Sequence, residues 1–351
     1  MKRRHFLATA LVSPILSAPL SSGCQRAPKK EQVLRSLVEH LLTDGIRGAV
    51  AASRELHAAV SHLASAPSAP AAEAARSAWV GAAIRWKRAN AFRDQQLIAS
   101  SELVRAAFWP PRPRAIEDLV RSDAPLSDED VEKLGADVRS LYAIEYLLFA
   151  DRSGSPFRVD DPNSARVRQF IVACAGNVSR RAQSAEKELA ANSVATRLAA
   201  DGQDAINRLV GLAVGNVEHF VANRLATIVW IASTKKSRPI EIEGGPSGIS
   251  HKLAAAVLDV TAHLYEGAQG PGLGALVAAI APAVNERVHG AFATAVASIQ
   301  SFSDPLENVA LADRSKIDAL LADCKTLEVA LRSDLASALG VTLTFSSADA
   351  D

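Results

Sequence analysis

Cysteine is scarce in this sequence. The 351 residues include three, Cys24, Cys174 and Cys324, and no two of them are spaced as Cys-x-x-Cys. This spacing excludes a cysteine-based zinc site, and so few thiols exclude a disulfide framework. Apolar neighbours around Cys174 and Cys324 predict that both are buried, and whether they pair in an oxidising compartment stays open.

The sequence also lacks an excess of either charge, and it contains few aromatic residues. Lys and Arg number 39 against 38 Asp and Glu, which gives a net charge of +1 and no general affinity for nucleic acid or anionic membranes. Aromatic residues make up 5% of the chain and hydrophobic residues 48%. This composition favours packed helices around a large core. The sequence contains no phosphate-binding loop and no Ser-His-Asp signature.

The N-terminal residues are arranged as an export signal. Arg3 and Arg4 precede an apolar stretch that is short and interrupted by proline, and small residues follow it. The arginine pair resembles a twin-arginine signal, and the SGC at 22–24 resembles a lipoprotein cleavage box, although the third residue before the cysteine is serine where leucine is usual. Residues 1–24 therefore predict export to the periplasm, with lipidation of Cys24 as the possible anchor.

Apolar residues recur at helical spacing through nearly the whole remaining chain. Trp79 and Trp86, for example, are seven residues apart and so share one helix face. The stretch IEIEGGPSG, at 240–248, is the one plainly non-helical connector. We therefore predict an all-α fold of two helical bundles, one within residues 30–235 and the other within residues 248–351.

One carboxylate lies inside an apolar run. The stretch SLYAIEYLLF, at 140–149, carries Glu145, with Tyr142 one helical turn before it. If a single helix spans about 128–150, these two side chains share a face, and apolar residues lie above and below Glu145. A carboxylate in such surroundings needs a cationic partner, hydrogen-bond donors or a metal ion.

Five blocks of the sequence resemble one known family. They are AWVGAAIRWKRANAFRD (78–94), FWPPRPRAIEDL (108–119), PLSDEDVEKLGADVRSLYAIEYLLF (125–149), SGIS (247–250) and the terminal GVTLTFSSADAD. Their order and spacing resemble the imelysin family of iron-regulated, periplasmic or lipid-anchored bacterial proteins. The resemblance implies two bundles of about four helices each, related by duplication and separated by a groove. It also implies a role in iron acquisition or in handling another exported ligand.

The functional motif proposed for that family, Gly-x-His-x-x-Glu, is degenerate in this chain. It falls on Ser140, Tyr142 and Glu145, so the glutamate is present and the glycine and histidine are not. Some members are described as metallopeptidases, and a catalytic zinc typically takes three protein ligands. Asn90 stands where the family often has an acidic residue. Both departures count against peptidase activity, so we expect a non-catalytic protein.

Two interpretations of Glu145 remain open. Tyr142 and Glu145 offer oxygen ligands, and with a carboxylate from elsewhere they would suit ferric iron or a ferric chelate better than zinc. Otherwise Glu145 pairs with a buried arginine, Arg88 or Arg93 of the second helix, and Tyr142 lies against that pair. His251, at the helix start after SGIS, is a further candidate ligand contact in the groove.

The sequence thus predicts an exported imelysin-like binding protein that works with iron uptake at the cell envelope. Its partner would be iron, another small ligand or an envelope protein, and membrane contact would come only through a lipid anchor. Two alternatives have different signatures. A metallopeptidase needs the missing histidine, whereas an envelope scaffold that binds a protein or polysaccharide predicts an exposed apolar or aromatic groove without metal affinity.

Overall fold

The computed structural model describes residues 28–92, 102–191, 194–236 and 238–343. Over these ranges the chain is helical and contains no strand, so the predicted all-α fold is confirmed. The predicted export signal at 1–24 with its Cys24, the candidate Arg93 and the terminal block from 344 onward lie outside the described residues. No helix in the described ranges is long and apolar enough to cross a membrane.

The helices are numbered in chain order. Their bounds are α1 Lys30–Leu37, α2 Asp44–Ser65, α3 Ala69–Asn90, α4 Glu102–Ala106, α5 Pro113–Arg121, α6 Asp128–Lys133, α7 Ala136–Arg139, α8 Leu141–Leu148, α9 Ala150–Ser153, α10 Ala165–Ala191, α11 Val194–Asp201, α12 Gln203–His219, α13 Ala226–Thr234, α14 Ser250–Glu266, α15 Leu273–Ile280, α16 Pro282–Gln300, α17 Leu306–Ala312, α18 Arg314–Val329 and α19 Ala336–Ala338. Wider π-helical turns occupy Val38–Thr43, Phe220–Leu225 and Ala330–Leu335, and a 3₁₀ turn occupies Pro239–Glu241.

The first group of helices is built around α2, α3 and α10. Helix α2 packs along both α3 and α10, and α8 fits between α3 and α10. The predicted shared face of Trp79 and Trp86 is confirmed, because both side chains are fully buried. Each indole N–H is also satisfied: Trp79 donates to the carbonyl of Leu141 at 2.7 Å, and Trp86 donates to the hydroxyl of Ser53 at 2.7 Å. These bonds let large amphipathic rings enter the core without an unpaired donor.

The second group consists of α12, α14, α16 and α18, with α13 and α17 packed against each other beside them. Helices α3 and α14 contact each other and join the two groups. Helices α12 and α13 precede the connector in the chain, yet most of their contacts with other helices are with the C-terminal ones. The division into two bundles, its boundary predicted near 235–248 and the internal duplication stay predictions.

The single helix predicted over about 128–150 is wrong. Helix α6 is capped by Ser127, whose hydroxyl accepts from the backbone N–H of Asp130, but it ends at Lys133, and two further short helices follow. The chain leaves helical geometry at Gly135 and again at Ser140, whose ψ is 173°. The Ser140 hydroxyl donates to the carbonyl of Phe108 at 2.8 Å. A glycine and a tertiary hydrogen bond thus override the local helical pattern.

The two cysteines of the core are unpaired. Cys174 and Cys324 are both buried and carry free thiols. Burial raises the pKa of each thiol above its ordinary value, so both remain protonated. They act as small apolar side chains of the core.

Candidate functional site

Helix α8 holds the two residues of the degenerate motif. All eight of its residues are buried, and this includes Tyr142 and Glu145, each 2% exposed. The Trp79 ring packs edge-on against the Tyr142 ring, with centroids 6.1 Å apart. The predicted burial of Glu145 in apolar surroundings is therefore correct, although the helix that carries it is shorter than expected.

The Tyr142 hydroxyl donates a hydrogen bond to a second buried carboxylate. Its acceptor is Oε1 of Glu243, at 2.5 Å. Glu243 belongs to the connector and is 8% exposed. Burial, together with the negative charge of Glu243, raises the pKa of Tyr142 well above its ordinary value of 10. Tyr142 is consequently a neutral hydrogen-bond donor.

Glu243 lies between two cations. Lys87 of α3 places its Nζ 2.9 and 2.7 Å from the two carboxylate oxygens, and Arg224 places its Nε 2.8 Å from Oε2. The Arg224 guanidinium also stacks over the Trp109 ring, 4.3 Å from its centroid. Burial alone would raise the pKa of Glu243, but the charges of Lys87 and Arg224 and the hydrogen bonds to Lys87 and Tyr142 outweigh it and lower the pKa to about 2. Glu243 is ionised at every physiological pH.

Glu145 has uncharged partners. The backbone N–H and the hydroxyl of Ser247 donate to its Oε1 at 3.1 and 2.6 Å. Burial is the largest influence on this carboxyl, and the charge of Glu243 acts in the same direction, while the Ser247 bonds and Arg152 oppose them. The outcome is a pKa raised to about 8. At neutral pH Glu145 is therefore mostly a protonated, uncharged acid.

The connector reaches these positions through a tight turn. Backbone bonds join Gly245 to Ile242 at 2.9 Å and Ile249 to Gly244 at 2.8 Å. Gly244 and Gly248 have φ of 74° and 73°, a conformation that side chains with a Cβ rarely adopt. A Cβ at Gly248 would also lie 2.3 Å from Nη1 of Arg152. Glycine is therefore the favoured residue at both positions of the turn that presents Glu243 and Ser247.

A cavity of about 530 Å³ lies beside Glu243. Its walls come from α3, from the segment that follows α4, from α12 and α13 with the π-helical turn between them, from the connector and from α14. The lining is largely apolar, with Phe108, Trp109 and Phe220 among its aromatic members. Polar members include Lys87, Asn90, Asn223, Arg224, Glu241 and Glu243, so the cavity combines apolar walls with polar groups and charges of both signs. This volume and character are typical of small-molecule sites.

The π-helical turn Phe220–Leu225 contributes to that wall. Such turns insert an extra residue into a helix and are frequent at functional sites. In this chain Phe220, Asn223 and Arg224 of the turn all line the cavity. Asn223 is in turn held by a side-chain contact of 2.8 Å to Nδ1 of His219.

The other predicted site residues, Arg88, Asn90 and His251, lie in three different environments. Arg88 pairs with Asp259 at 2.9 Å, so the prediction that Glu145 pairs with Arg88 is wrong. Asn90 lines the cavity, and its buried Oδ1 has no hydrogen-bond partner among the described residues. His251 is buried at the start of α14, next to Ser250, which lines the cavity. Burial, aided by the charge of Lys252, lowers the pKa of His251.

The arrangement does not suit a bare ferric ion. The carboxylate nearest the Tyr142 hydroxyl is Glu243, whose charge already faces Lys87 and Arg224. Ferric iron favours ionised oxygen ligands, and the raised pKa values of Tyr142 and Glu145 mean that both would have to release a proton to bind it. Among the residues that the structure describes, no three His, Cys, Asp or Glu side chains are grouped to hold a metal ion. The site is better described as a hydrogen-bonded clasp between α8 and the connector.

The partners of the clasp carry little signal in the sequence. Glu243 and Ser247 lie in the connector, and Lys87 follows Trp86 in α3 without a distinguishing pattern around it. A signal was present in the alternation of Ile240, Glu241, Ile242 and Glu243, because a carboxylate so close to buried isoleucine and glycine requires a partner.

The comparisons with known proteins agree with this fold. A sequence model described as Imelysin matches residues 43–333. The crystal structure of an imelysin-like protein from Psychrobacter arcticum 273-4 has a TM-score of 0.76 and 18% identity, and the match covers 90% of this chain and 97% of that one. A structure from Parabacteroides distasonis ATCC 8503, described as a candidate iron-regulated protein A precursor, has a TM-score of 0.75 and 16% identity over the same shares. No curated protein matches the sequence.

Proposed function

Because the chain belongs to the imelysin family, we propose that it is an exported, non-catalytic binding protein associated with iron uptake at the bacterial cell envelope. The similar Parabacteroides distasonis structure belongs to a protein described as iron-regulated, which supports the iron association. Export rests on the arrangement of residues 1–24, and a lipid anchor at Cys24 is one form that the proposal takes.

One observation carries the proposal of binding without catalysis. The side chains at the motif positions are engaged within the protein, because Tyr142 donates to Glu243 and Ser247 donates to Glu145. A hydrolytic metal centre needs deprotonated ligands and an open coordination position. The open volume lies instead on the cavity side of Glu243, where apolar and aromatic walls favour a bound organic molecule.

A second candidate is supported by the edge of the cavity. Val104 and Phe108 line it and are 44% and 38% exposed, which is high for apolar side chains. An envelope scaffold that docks a protein or polysaccharide at this edge would use the same two residues. The two functions differ in which substitutions abolish them, since a scaffold depends on the rim and a small-molecule site depends on the interior.

The test is growth under iron limitation in a deletion strain of the native host. The strain would carry the full-length chain, the cavity-filling variant Ala254→Phe, or the control Ala293→Phe, which introduces the same ring on the exposed face of α16. Uptake of radioactive iron would be measured beside growth, and fractionation would locate the protein. We expect the wild type and the control to restore uptake and Ala254→Phe to fail.

Four outcomes would contradict the proposal. A deletion strain with normal iron uptake would remove the iron association. Cytoplasmic location would remove export. Hydrolysis of casein by purified protein supplied with zinc, abolished by Glu145→Gln, would favour the metallopeptidase over the binding protein. Rescue by Ala254→Phe but not by Phe108→Ser would favour the scaffold.

A further inference from the structure

The Arg224 guanidinium is held in place with most of its hydrogen-bonding capacity unused. Its face stacks on Trp109 and its Nε lies 2.8 Å from Glu243, an ion pair without hydrogen-bond alignment. Within the described ranges Arg224 donates no hydrogen bond, although a guanidinium carries five N–H donors. Its side chain is 20% exposed, and it lines the cavity.

Such an arginine is preorganised to bind an oxyanion. Stacking on an indole fixes the plane of the guanidinium, so less side-chain entropy is lost when a ligand binds. Carboxylate and sulfonate groups match the fork of two N–H donors, and charge-assisted bonds of this kind are stronger than bonds between neutral groups. In a partly enclosed, apolar chamber they are also less screened by water.

Asn90 adds a second requirement on the ligand, namely a hydrogen-bond donor. Its Oδ1 is buried, accepts no hydrogen bond among the described residues and belongs to the lining of the same cavity. A buried acceptor without a donor is costly, so a ligand that carries an N–H or O–H group gains by meeting it. The apolar wall, which includes Phe220, Ile228 and Val257, accommodates the remainder of the ligand.

We propose that the cavity binds a small organic oxyanion with an apolar, preferably aromatic, body and one hydrogen-bond donor, its anionic group on Arg224 and its donor on Asn90. This inference rests on the proposed function only in taking the cavity as the ligand site. It specifies the chemistry of the ligand, whether that ligand arrives free or as part of a ferric chelate.

Two fluorescent probes with nearly the same body separate the contribution of the anion. 8-Anilinonaphthalene-1-sulfonate has a sulfonate, an N–H donor and an aromatic body, whereas N-phenyl-1-naphthylamine has the same body and donor without the sulfonate. Both would be titrated into the full chain. Arg224→Gln is expected to weaken sulfonate binding about tenfold and Arg224→Lys somewhat less, with binding of the neutral probe unchanged in both.

Ala254→Phe establishes where the probes bind. Ala254 lines the cavity on α14, so a phenyl group there should displace both probes, while Ala293→Phe should displace neither. If Ala254→Phe does not fold, as judged by its melting curve, Val257→Phe enters the same chamber from the next turn of α14. Arg314→Gln, on an exposed arginine that pairs with Asp318, is the matched control for loss of charge.

The proposal is overturned if the sulfonate and the neutral probe lose affinity equally in Arg224→Gln, because the anion would then not be read by Arg224. It is overturned equally if both cavity-filling variants bind the probes normally. Failure of the proposed function has a different result: normal iron uptake in the deletion strain together with Arg224-dependent binding of the sulfonate would remove the iron role and leave the ligand class standing.

Discussion

Two carboxylates at the contact between α8 and the connector are buried to a similar depth and behave in opposite ways. Glu145 is 2% exposed and has a pKa of about 8, whereas Glu243 is 8% exposed and has a pKa of about 2. Burial by itself would raise the pKa of both carboxyl groups. The difference comes from the neighbours, since Glu145 receives two bonds from uncharged Ser247 while Glu243 faces two cations.

This difference shows that neutral hydrogen-bond donors and cations do not offset the desolvation of a buried carboxylate equally. Neutral donors satisfy the oxygens of Glu145 but leave its ionised form too costly, so the proton stays. Cations at contact distance offset the desolvation of Glu243 and keep it ionised. Each segment supplies one acid and one donor, because Tyr142 of α8 donates to Glu243 and Ser247 of the connector donates to Glu145.

The largest expected effect comes from removing the charge of Glu243. Glu243→Gln leaves Lys87 and Arg224 close together around an uncharged amide, and breaking a buried ionic cluster in this way costs about 3–5 kcal/mol. Urea unfolding at pH 7 measures it. The control is Glu241→Gln, which disrupts only an exposed pair with Arg238 and should change the free energy of unfolding by less than about 1 kcal/mol. Equal effects of the two variants would contradict the assignment.

The corresponding substitution Glu145→Gln should stabilise the fold, whereas Glu243→Gln destabilises it. Unfolded Glu145 releases its proton near its ordinary pKa of 4.5, whereas the folded protein holds it until about pH 8. Between these values the folded state binds more protons, so this group makes stability fall as pH rises. Glu145→Gln removes that dependence and should raise the free energy of unfolding by about 3 kcal/mol at pH 7, with little change at pH 4.

Measuring the free energy of unfolding between pH 3 and 8 tests whether Glu145 and Glu243 affect stability with opposite pH dependence. Glu243 stabilises the fold above its unfolded pKa of 4.5 and loses that contribution as pH falls towards 2. The difference between Glu145→Gln and the wild type should therefore grow with pH, and the penalty of Glu243→Gln should shrink as the solution becomes acidic. A constant difference for either variant would show that its carboxyl does not titrate as described.

Tyr142→Phe should have a smaller effect than either acid substitution. It removes one hydrogen bond to a charged acceptor and leaves both cations beside Glu243, so we expect a loss of about 2 kcal/mol. Tyr146→Phe is a matched control, because its hydroxyl donates to Glu117 away from the connector at the same 2.5 Å. Only Tyr142→Phe should alter the acid limb of the stability profile, through a raised pKa of Glu243.

The smallest effect is expected in the turn that aligns the two acids. Gly248→Ala places a Cβ at a φ of 73° and against the end of the Arg152 side chain, and should cost about 1–2 kcal/mol. Gly290→Ala is the control, since nothing lies within 4 Å of that position inside α16 and alanine is the better helix former there. Thermal melting should shift down for the first and slightly up for the second.

Part of this arrangement could be predicted from the sequence. The all-α fold and the shared face of Tyr142 and Glu145 follow from local periodicity, which depends on residues three or four apart. Their partners could not be found in that way, because Glu243 and Ser247 lie 101 and 102 residues further along the chain. The breaks at Gly135 and Ser140 were also missed, since a tertiary bond to Phe108 fixes the second of them.

The clasp also gives the connector a fixed length. Tyr142 and Glu145 are three residues apart on a helix, a rise of about 4.5 Å, and their partners are Glu243 and Ser247 in the same chain direction. Three residues, Gly244 to Pro246, must span that distance while turning. A deletion or insertion within them would move one partner out of register even with every side chain of the cluster intact. The number of residues between Glu243 and Ser247 is therefore as important to the clasp as their identities.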